Sequence, residues 1–200
     1  MDWSRVAPGY DWQLPLERAA LAAAVALAGP RRDDVWLDVG TGTGGLLRVL
    51  AGCRDRPRSV IGVDVCAAML DRARALPGRW ALEQADARRL PFADGAFSVV
   101  TAAYLLHVVD TPARKQIIGE CRRVLRASGR LVVVTPAWPR TRVARMLYAP
   151  LAATARSPAG PPAALRPLDP RAELEQAAFT IAAARHTGCG YPSLCVSAAR

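Results

Sequence analysis

Short runs of apolar residues alternate with amphipathic stretches along the first two thirds of the chain. The runs predict strands at residues 35–39, 60–64, 80–84, 97–102 and 130–135. The amphipathic stretches predict helices at residues 15–27, 46–53, 67–76 and 112–126. Strands of nearly continuous Val, Ile and Leu that are separated by helices indicate a parallel sheet covered on both faces. We therefore expect a doubly wound α/β fold.

The regular alternation ends after residue 135. Residues 141–155 have helical spacing, residues 156–170 are rich in proline and predict a loop, and residues 170–178 predict a helix. Two further strands, at 179–184 and 193–197, are expected to form a closing hairpin through a turn at 188–190. The apolar stripe of the helix at 141–155 contains Val143, Met146, Leu147 and Leu151. Either it packs on the sheet, or it covers a lipid-like acceptor or rests on an anionic membrane beside Arg140, Arg142 and Arg145.

A length of 200 residues fits one domain. We divide it into a helical lid at 1–30, a core at 31–135, an insertion at 136–170 and a C-terminal part at 171–200. The longest apolar run has eleven residues, fewer than the roughly 20 that a spanning helix needs. No basic segment followed by an apolar one begins the chain, so we expect a cytoplasmic protein. The five cysteines form no C-x-x-C pair, which indicates reduced thiols and no metal site.

The basic residues of the chain exclude several functions, because nearly all of them are arginines. Of 27 basic residues only Lys115 is a lysine, and its neighbours match neither a Walker A loop, nor a kinase, nor the Tyr-x-x-x-Lys of a short-chain reductase. The net charge of +10 is compatible with nucleic acid, anionic lipid or an acidic substrate.

A glycine-rich turn follows the first predicted strand. Gly40, Gly42 and Gly45 match the dinucleotide spacing G-x-G-x-x-G, while Asp38, Gly40, Gly42 and Gly44 match D-x-G-x-G-x-G. Spacing alone does not choose between them. Charge favours the second, because a carboxylate at Asp38 would repel a pyrophosphate but attract the ammonium and sulfonium of S-adenosylmethionine.

Two more acids follow the next strands. Asp64 ends the second strand, 24 residues after Gly40, where an acid accepts hydrogen bonds from both ribose hydroxyls. Asp86 follows the third strand, where a carboxylate can accept from the amino group of adenine. A turn or helix-capping role for Asp86 is the alternative.

Together, residues 38–45, 63–64, 84–87, 90–92, 97–110 and 129–135 resemble the class I S-adenosylmethionine-dependent methyltransferases. The closest branch is that of the ubiquinone and menaquinone C-methyltransferases. The resemblance implies a seven-stranded sheet with a reversed C-terminal hairpin. It places the methionine part of the cofactor at Gly40–Thr43, the ribose at Asp64, the adenine at Asp86 and Ala87, and the methyl-donor end at Ala103 and Tyr104. The full set of cofactor-binding residues that we expect is Tyr10, Asp38, Gly40, Thr41, Gly42, Thr43, Gly44, Asp64, Val65, Asp86, Ala87, Ala103 and Tyr104. Ser98 departs from the Phe-Asp that is common in the family.

For some side chains the sequence is compatible with two roles. His107 is either a base or substrate contact, or it orders the loop by a hydrogen bond, and we name no catalytic residue. Tyr10 either closes over the cofactor or lies exposed before the first helix. Trp3, Trp12 and Trp138 are expected to flank the mouth of the site, with Trp36 and Trp80 in the core.

The sequence thus predicts methyl transfer from S-adenosylmethionine to a small, apolar acceptor, with S-adenosylhomocysteine as product. A nucleic-acid methyltransferase is an alternative because Arg122, Arg123, Arg126 and Arg130 form a basic cluster. It is disfavoured because the Asn/Asp-Pro-Pro-aromatic motif is missing. A non-catalytic protein on the same fold is a second alternative, and an NAD-dependent enzyme a distant third.

Overall fold

We describe the fold from a computed structural model. It covers residues 3–4, 7, 11–73, 76–154, 166–188 and 190–200, with the backbone alone for 151–154. The strands are β1 (Val35–Val39), β2 (Ser59–Asp64), β3 (Trp80–Gln84), β4 (Phe97–Ala103), β5 (Leu125–Pro136), β6 (Thr180–Thr187) and β7 (Ser193–Ala199). The helices are α1 (Leu14–Ala28), α2 (Gly45–Ala51), α3 (Ala67–Leu70), α4 (Thr111–Val124), α5 (Arg142–Thr154) and α6 (Arg171–Gln176). Short 3-10 turns lie at Asp11–Gln13 and Leu106–Val108.

The strands form one sheet in the order β3-β2-β1-β4-β5-β7-β6. Strands β1 to β5 are parallel to one another, and β7 runs antiparallel to both β5 and β6. The expected doubly wound α/β fold with a reversed C-terminal hairpin is confirmed. The chain leaves β1 toward β2 on one side and places β4 on the other, and ligands bind at this kind of switch point.

Each face of the sheet has its own apolar core. On one face α1 and α2 cover the sheet, and Leu21 and Leu47 pack there with Trp36, which is fully buried. On the other face α4 brings Ile118 and α6 brings Leu174 against β4, β5 and β7. Covering both faces explains why the strands read as continuous apolar runs rather than as alternating ones.

Most of the helices end earlier than predicted, and two of these ends have a clear cause. The helix expected at 67–76 is one turn, α3, after which the chain turns and Ala73 packs beside Gly44. The helix expected at 112–126 ends at Val124, because Leu125 is already extended and pairs with Phe97. Strand β5 therefore begins at Leu125, before the predicted start at 130. After the Phe97–Leu125 pair the register between β4 and β5 shifts, as at a β-bulge.

The apolar stripe of the insertion does not pack on the sheet, which was one of the two predicted alternatives. Val143, Met146 and Leu147 of α5 are 70%, 77% and 77% exposed, so this alternative is wrong for these side chains. None of the described helices is long and apolar enough to cross a membrane. Most of the expected proline-rich loop, Tyr10 and Cys189 lie outside the described residues.

Candidate cofactor-binding site

Two adjoining cavities open at the carboxyl ends of β1, β2 and β4. The larger, of about 240 Å³, is lined by Asp64, Asp86 and, after β4, residues 103–105, 108 and 109. The smaller, of about 30 Å³, lies against α1. Their linings share Gly40, Gly42, Ala103 and Tyr104. The predicted residues after β1, β2, β3 and β4 therefore meet at one edge of the sheet, because parallel strands end on the same side.

Asp64 joins the glycine-rich turn to β2. Its Oδ2 accepts a hydrogen bond from the Gly42 amide at 2.9 Å, and its Oδ1 accepts one from the Cys66 amide at 2.9 Å. Burial raises the pKa of the Asp64 carboxyl, and these amide donors act in the opposite direction. Asp64 lines the larger cavity, where a carboxylate oxygen can accept a further hydrogen bond, and the exposed side chain of Val65 lines the same space.

Asp38 is almost fully buried at the end of β1. Its Oδ2 accepts from the Thr41 hydroxyl at 2.7 Å and its Oδ1 from the Thr101 hydroxyl at 2.6 Å. Burial raises the pKa of Asp38 to about 6, the two hydroxyls lower it, and the charge of Asp64 raises it again. Asp38 lines the smaller cavity and not the larger one, so its charge acts on whatever occupies the smaller space.

The turn after β1 needs glycine at positive φ. Gly42 has a φ of 54°, and a Cβ there would meet nothing within 4 Å, because that side of the residue faces open cavity. A Cβ on Gly40, at φ 69°, would touch the Leu105 side chain at 3.1 Å. Gly44 lines neither cavity, contrary to its predicted cofactor contact. Its left-handed φ of 81° starts α2 and so shapes the turn.

Asp86 lies in the larger cavity, but its carboxylate already has a partner. Arg88 pairs with it through two nitrogens, at 2.6 Å for the shortest contact, and the Arg88 amide donates to Oδ1 at 2.9 Å. These hydrogen bonds hold the pKa of Asp86 below its ordinary value. Asp86 thus makes the hydrogen bond of a turn and also lines the larger cavity. Ala87 lines the same cavity.

Tyr104 separates the two cavities. Its φ is 55°, which is unusual for a residue other than glycine, and its hydroxyl lies 2.8 Å from the Ser193 hydroxyl of β7. His107 is 2% exposed and sets its ring edge-on to Tyr104, with 6.1 Å between ring centroids. Because His107 lines neither cavity, its place agrees with an ordering role and not with a substrate contact.

The tryptophans divide differently from the prediction. Trp3 lines the larger cavity. Trp12 is 70% exposed, Trp138 packs edge-on against Tyr148, and neither lines the two cavities, so their place at the mouth stays a prediction. Trp36 is in the core as expected, whereas Trp80 is only partly buried at the sheet edge.

Sequence reasoning missed Glu17 and Arg88. Glu17 is 5% exposed, and it lines the smaller cavity from the first turn of α1. Its position three residues after Leu14 and four before Leu21 puts it on the buried stripe of that helix, a pattern visible in the sequence. From the sequence, Arg88 could be recognised only as a basic residue two positions after Asp86.

Comparison with known proteins agrees with this geometry. Residues 37–129 match the family model of the methyltransferase domain. Over these residues the chain is similar to methyltransferases, and its fold is the one that solved methyltransferase structures share. It is 37% identical to the ubiquinone/menaquinone biosynthesis C-methyltransferase of Geobacter sulfurreducens over 160 residues, which is 73% of this chain and 60% of the relative. It is 34% identical to the demethylmenaquinone methyltransferase of a Roseiflexus species over 154 residues, which is 73% of this chain and 64% of the relative.

A solved structure shares the fold of this protein over nearly the whole chain. It is the 1,6-didemethyltoxoflavin-N1-methyltransferase of Burkholderia thailandensis with bound S-adenosylhomocysteine, at TM-score 0.68 and 18% identity, covering 98% of this chain and 83% of that one. The chain spans about half to two thirds of the length of its curated relatives.

The residues present fit S-adenosylmethionine, the cofactor that the sequence predicts. The open side of Gly42, the free lone pairs of Asp64 and the buried acid Asp38 suit an adenosine that carries a cationic tail. Among the described residues no three His, Cys, Asp or Glu side chains cluster as a metal site would. The described cysteines are free thiols, and burial raises the pKa of Cys121 to about 12.

Proposed function

We propose that this chain transfers the methyl group of S-adenosylmethionine to a carbon of a small, apolar ring acceptor of the quinone type. One observation carries the proposal. The two cavities around the glycine-rich turn, Asp64 and Asp38 meet at Ala103 and Tyr104, so a bound S-adenosylmethionine would have its methyl group at this junction. One curated relative is named a ubiquinone/menaquinone biosynthesis C-methyltransferase and another a demethylmenaquinone methyltransferase, and these names support the acceptor class.

The residues of the chain have separate parts in this reaction. Asp64 would accept the ribose hydroxyls, and Asp38 would face the cationic tail. The larger cavity, whose lining includes Met69 and Val108, would hold the adenine. When bound, S-adenosylmethionine supplies a methyl group activated by its sulfonium. Tyr104, fixed by its contact with Ser193, would form the wall at the methyl-donor end.

Orientation and exclusion of water account for the rate enhancement that this proposal requires. In-line displacement at a sulfonium methyl needs the nucleophile aligned behind the carbon, and such alignment supplies a large share of catalysis without a dedicated base. The only described histidine near the site, His107, is buried behind Tyr104 and does not reach the cavities. We therefore assign no general base.

The exposed face of α5 supports a lipid-like acceptor and contact with an anionic membrane. Val143, Met146 and Leu147 project into solvent beside Arg142 and Arg145. The sequence contains no Asp or Glu from residue 121 to residue 168, so nothing in this stretch neutralises its arginines. An exposed apolar stripe flanked by arginines is typical of helices that lie in the interface of acidic membranes.

Two of the four arginines that suggested nucleic acid, Arg123 and Arg130, pair with acidic side chains. Arg130 pairs with Asp34 at 2.6 Å, and Arg123 pairs with Glu120 and Asp94 at 2.7 Å each. Charges already neutralised in this way release fewer counterions on binding to phosphates. This favours a small acceptor over RNA or DNA.

An acceptor panel tests the proposed function. The native chain is incubated with S-adenosylmethionine and, in separate reactions, a demethylated quinol in anionic vesicles, a water-soluble phenol and an RNA oligonucleotide. Mass spectrometry of the acceptors should find a C-methylated quinol and little product from the others. Methylated RNA would reverse the assignment of the acceptor.

A further inference from the structure

The smaller cavity differs from the larger one in size and charge. At about 30 Å³ it has room for a group of about the size of one water molecule, and not for a ring. Its lining contains two carboxyl groups, Glu17 and Asp38, and no arginine or lysine among the described residues. A compact cation fits such a space, whereas a carboxylate or phosphate would meet repulsion.

Glu17 has no internal partner to explain its burial. It is 5% exposed, and within the described part of the chain no hydrogen bond or ion pair reaches its side chain. Thr43, which lines the same cavity at 1% exposure, lies near the Asp11 carboxyl but makes no hydrogen bond of ordinary geometry. Buried polar groups without partners are costly, and a donor placed in the cavity would satisfy both.

We propose that Glu17 and Asp38 together form a cation subsite that binds the α-ammonium group of the cofactor's methionine part, with Glu17 as its second anionic ligand. This inference rests on the proposed function only for the identity of the cofactor. The ammonium has three donors, and the carboxyl of Glu17 and the hydroxyl of Thr43, which both line the cavity, offer acceptors. The subsite selects amino-acid-bearing adenosine thioethers over those without the ammonium.

The charged groups around Glu17 determine how the subsite responds to pH. Asp38 from β1 lines the same cavity, and Tyr191, before β7, has its pKa raised first by burial and then by the charge of Glu17. Arg48 of α2 donates to the Thr43 carbonyl at 2.5 Å, on the outer side of the turn, with Asp11 nearby. Burial raises the pKa of Glu17 to about 7. An incoming ammonium favours the ionised form, so its binding near pH 7 releases a proton from Glu17.

Calorimetry with two ligands tests this subsite without any acceptor. S-adenosylhomocysteine is compared with its desamino analogue, in which a hydrogen replaces the ammonium, on the native chain and on Glu17→Gln. We expect Glu17→Gln to lower the affinity for S-adenosylhomocysteine about tenfold or more. The affinity for the desamino analogue should change by no more than about twofold. Titrations in phosphate and in Tris at pH 7 should show proton release with the native chain and less with the variant.

Other outcomes overturn the subsite. Equal weakening of both ligands would mean that Glu17 only supports the fold, and unchanged affinity for both would remove it from the site. If Glu17→Gln does not fold, the native chain decides: its affinity for S-adenosylhomocysteine should fall below pH 7 while that for the desamino analogue stays level. Parallel pH profiles would contradict the proposal. Methyl transfer plays no part in these measurements, so the proposed acceptor stands or fails separately.

Discussion

The amide of Gly42 donates to Asp64 Oδ2 at 2.9 Å, and this contact ties the turn after β1 to the end of β2. The same carboxylate accepts from the Cys66 amide, so its orientation is fixed before any ligand arrives. A ribose bound at Asp64 therefore meets acceptors already held in place, which lowers the entropic cost of binding.

Replacing Asp64 should weaken binding of the cofactor. Asp64→Ala removes two charge-assisted hydrogen bonds to the ribose, so we expect S-adenosylhomocysteine to lose about 2 kcal/mol, or roughly 30-fold in affinity. Asp64→Asn should lose less because one acceptor oxygen remains. Calorimetry measures both, with Asp55→Ala as control, since Asp55 pairs with Arg32 at the exposed surface. Native-like affinity in Asp64→Ala would remove this residue from the ribose site.

The loop behind Tyr104 should depend on a partly buried ion pair. Arg114 pairs with Glu173 of α6 at 2.8 Å and also donates to the Leu106 and Val109 carbonyls. Glu173→Ala leaves the Arg114 guanidinium without its anion, and we expect the free energy of unfolding to fall by about 3 kcal/mol.

Urea unfolding measures the Glu173→Ala effect. Glu175→Ala, on the exposed side of the same helix, is the matched control and should change the free energy of unfolding by less than about 0.5 kcal/mol. Equal effects of the two variants would show that α6, rather than the ion pair, carries the stabilisation.

Stability should depend on pH through Glu17. Burial raises its pKa from 4.5 to about 7, so the folded chain holds this proton more tightly than the unfolded chain. The contribution is therefore present below about pH 4.5 and is lost as the pH rises through 7. Relative to the native chain, the free energy of unfolding of Glu17→Gln should increase by up to about 3 kcal/mol between pH 4 and pH 8. A difference that stays constant with pH would contradict the assigned shift.

Vesicle binding should follow the arginines beside α5. Changing Arg140, Arg142 and Arg145 to Gln should weaken sedimentation with anionic vesicles by about 3 kcal/mol, or about 100-fold, at about 1 kcal/mol for each arginine. Arg54, Arg56 and Arg58, all exposed at the opposite edge of the sheet, give a control variant with the same loss of charge. If both triple variants weaken equally, general charge and not this helix causes binding. A native chain that stays in the supernatant at low salt would end the membrane proposal.

Much of the fold was predictable because its strands are buried on both faces. Residues 35–39 were predicted with the observed bounds, since a strand buried on both faces is largely apolar. Residues 80–84 were also predicted with the observed bounds, although this edge strand is mostly exposed. The ends of α3 and α4 were not predictable. They are set by the packing of Ala73 beside Gly44 and by the pairing of Leu125 with Phe97, contacts between residues distant in sequence.

The candidate site was predictable where backbone geometry dictates residue type. Gly42 and Asp64 could be named from the motif because a close backbone approach needs glycine and a ribose needs an acid. Ser98, which departs from the family, keeps the local contact by donating to Asp34 Oδ1 at 2.8 Å and accepting from the Val35 amide at 3.0 Å. The exposure of α5 and the pairing of Asp86 with Arg88 needed the structure, because helical spacing does not say what faces the stripe.

Transfer of labelled methyl groups tests the central claim most directly. The native chain and Asp64→Ala are incubated with methyl-tritiated S-adenosylmethionine and the demethylated quinol in anionic vesicles, and labelled product and S-adenosylhomocysteine are counted together. We predict one labelled methyl group per S-adenosylhomocysteine from the native chain, and at the same low cofactor concentration roughly 30-fold less from Asp64→Ala, following the lost affinity. Tight binding of S-adenosylhomocysteine by the native chain with no labelled product would contradict the account and indicate a non-catalytic protein on this fold.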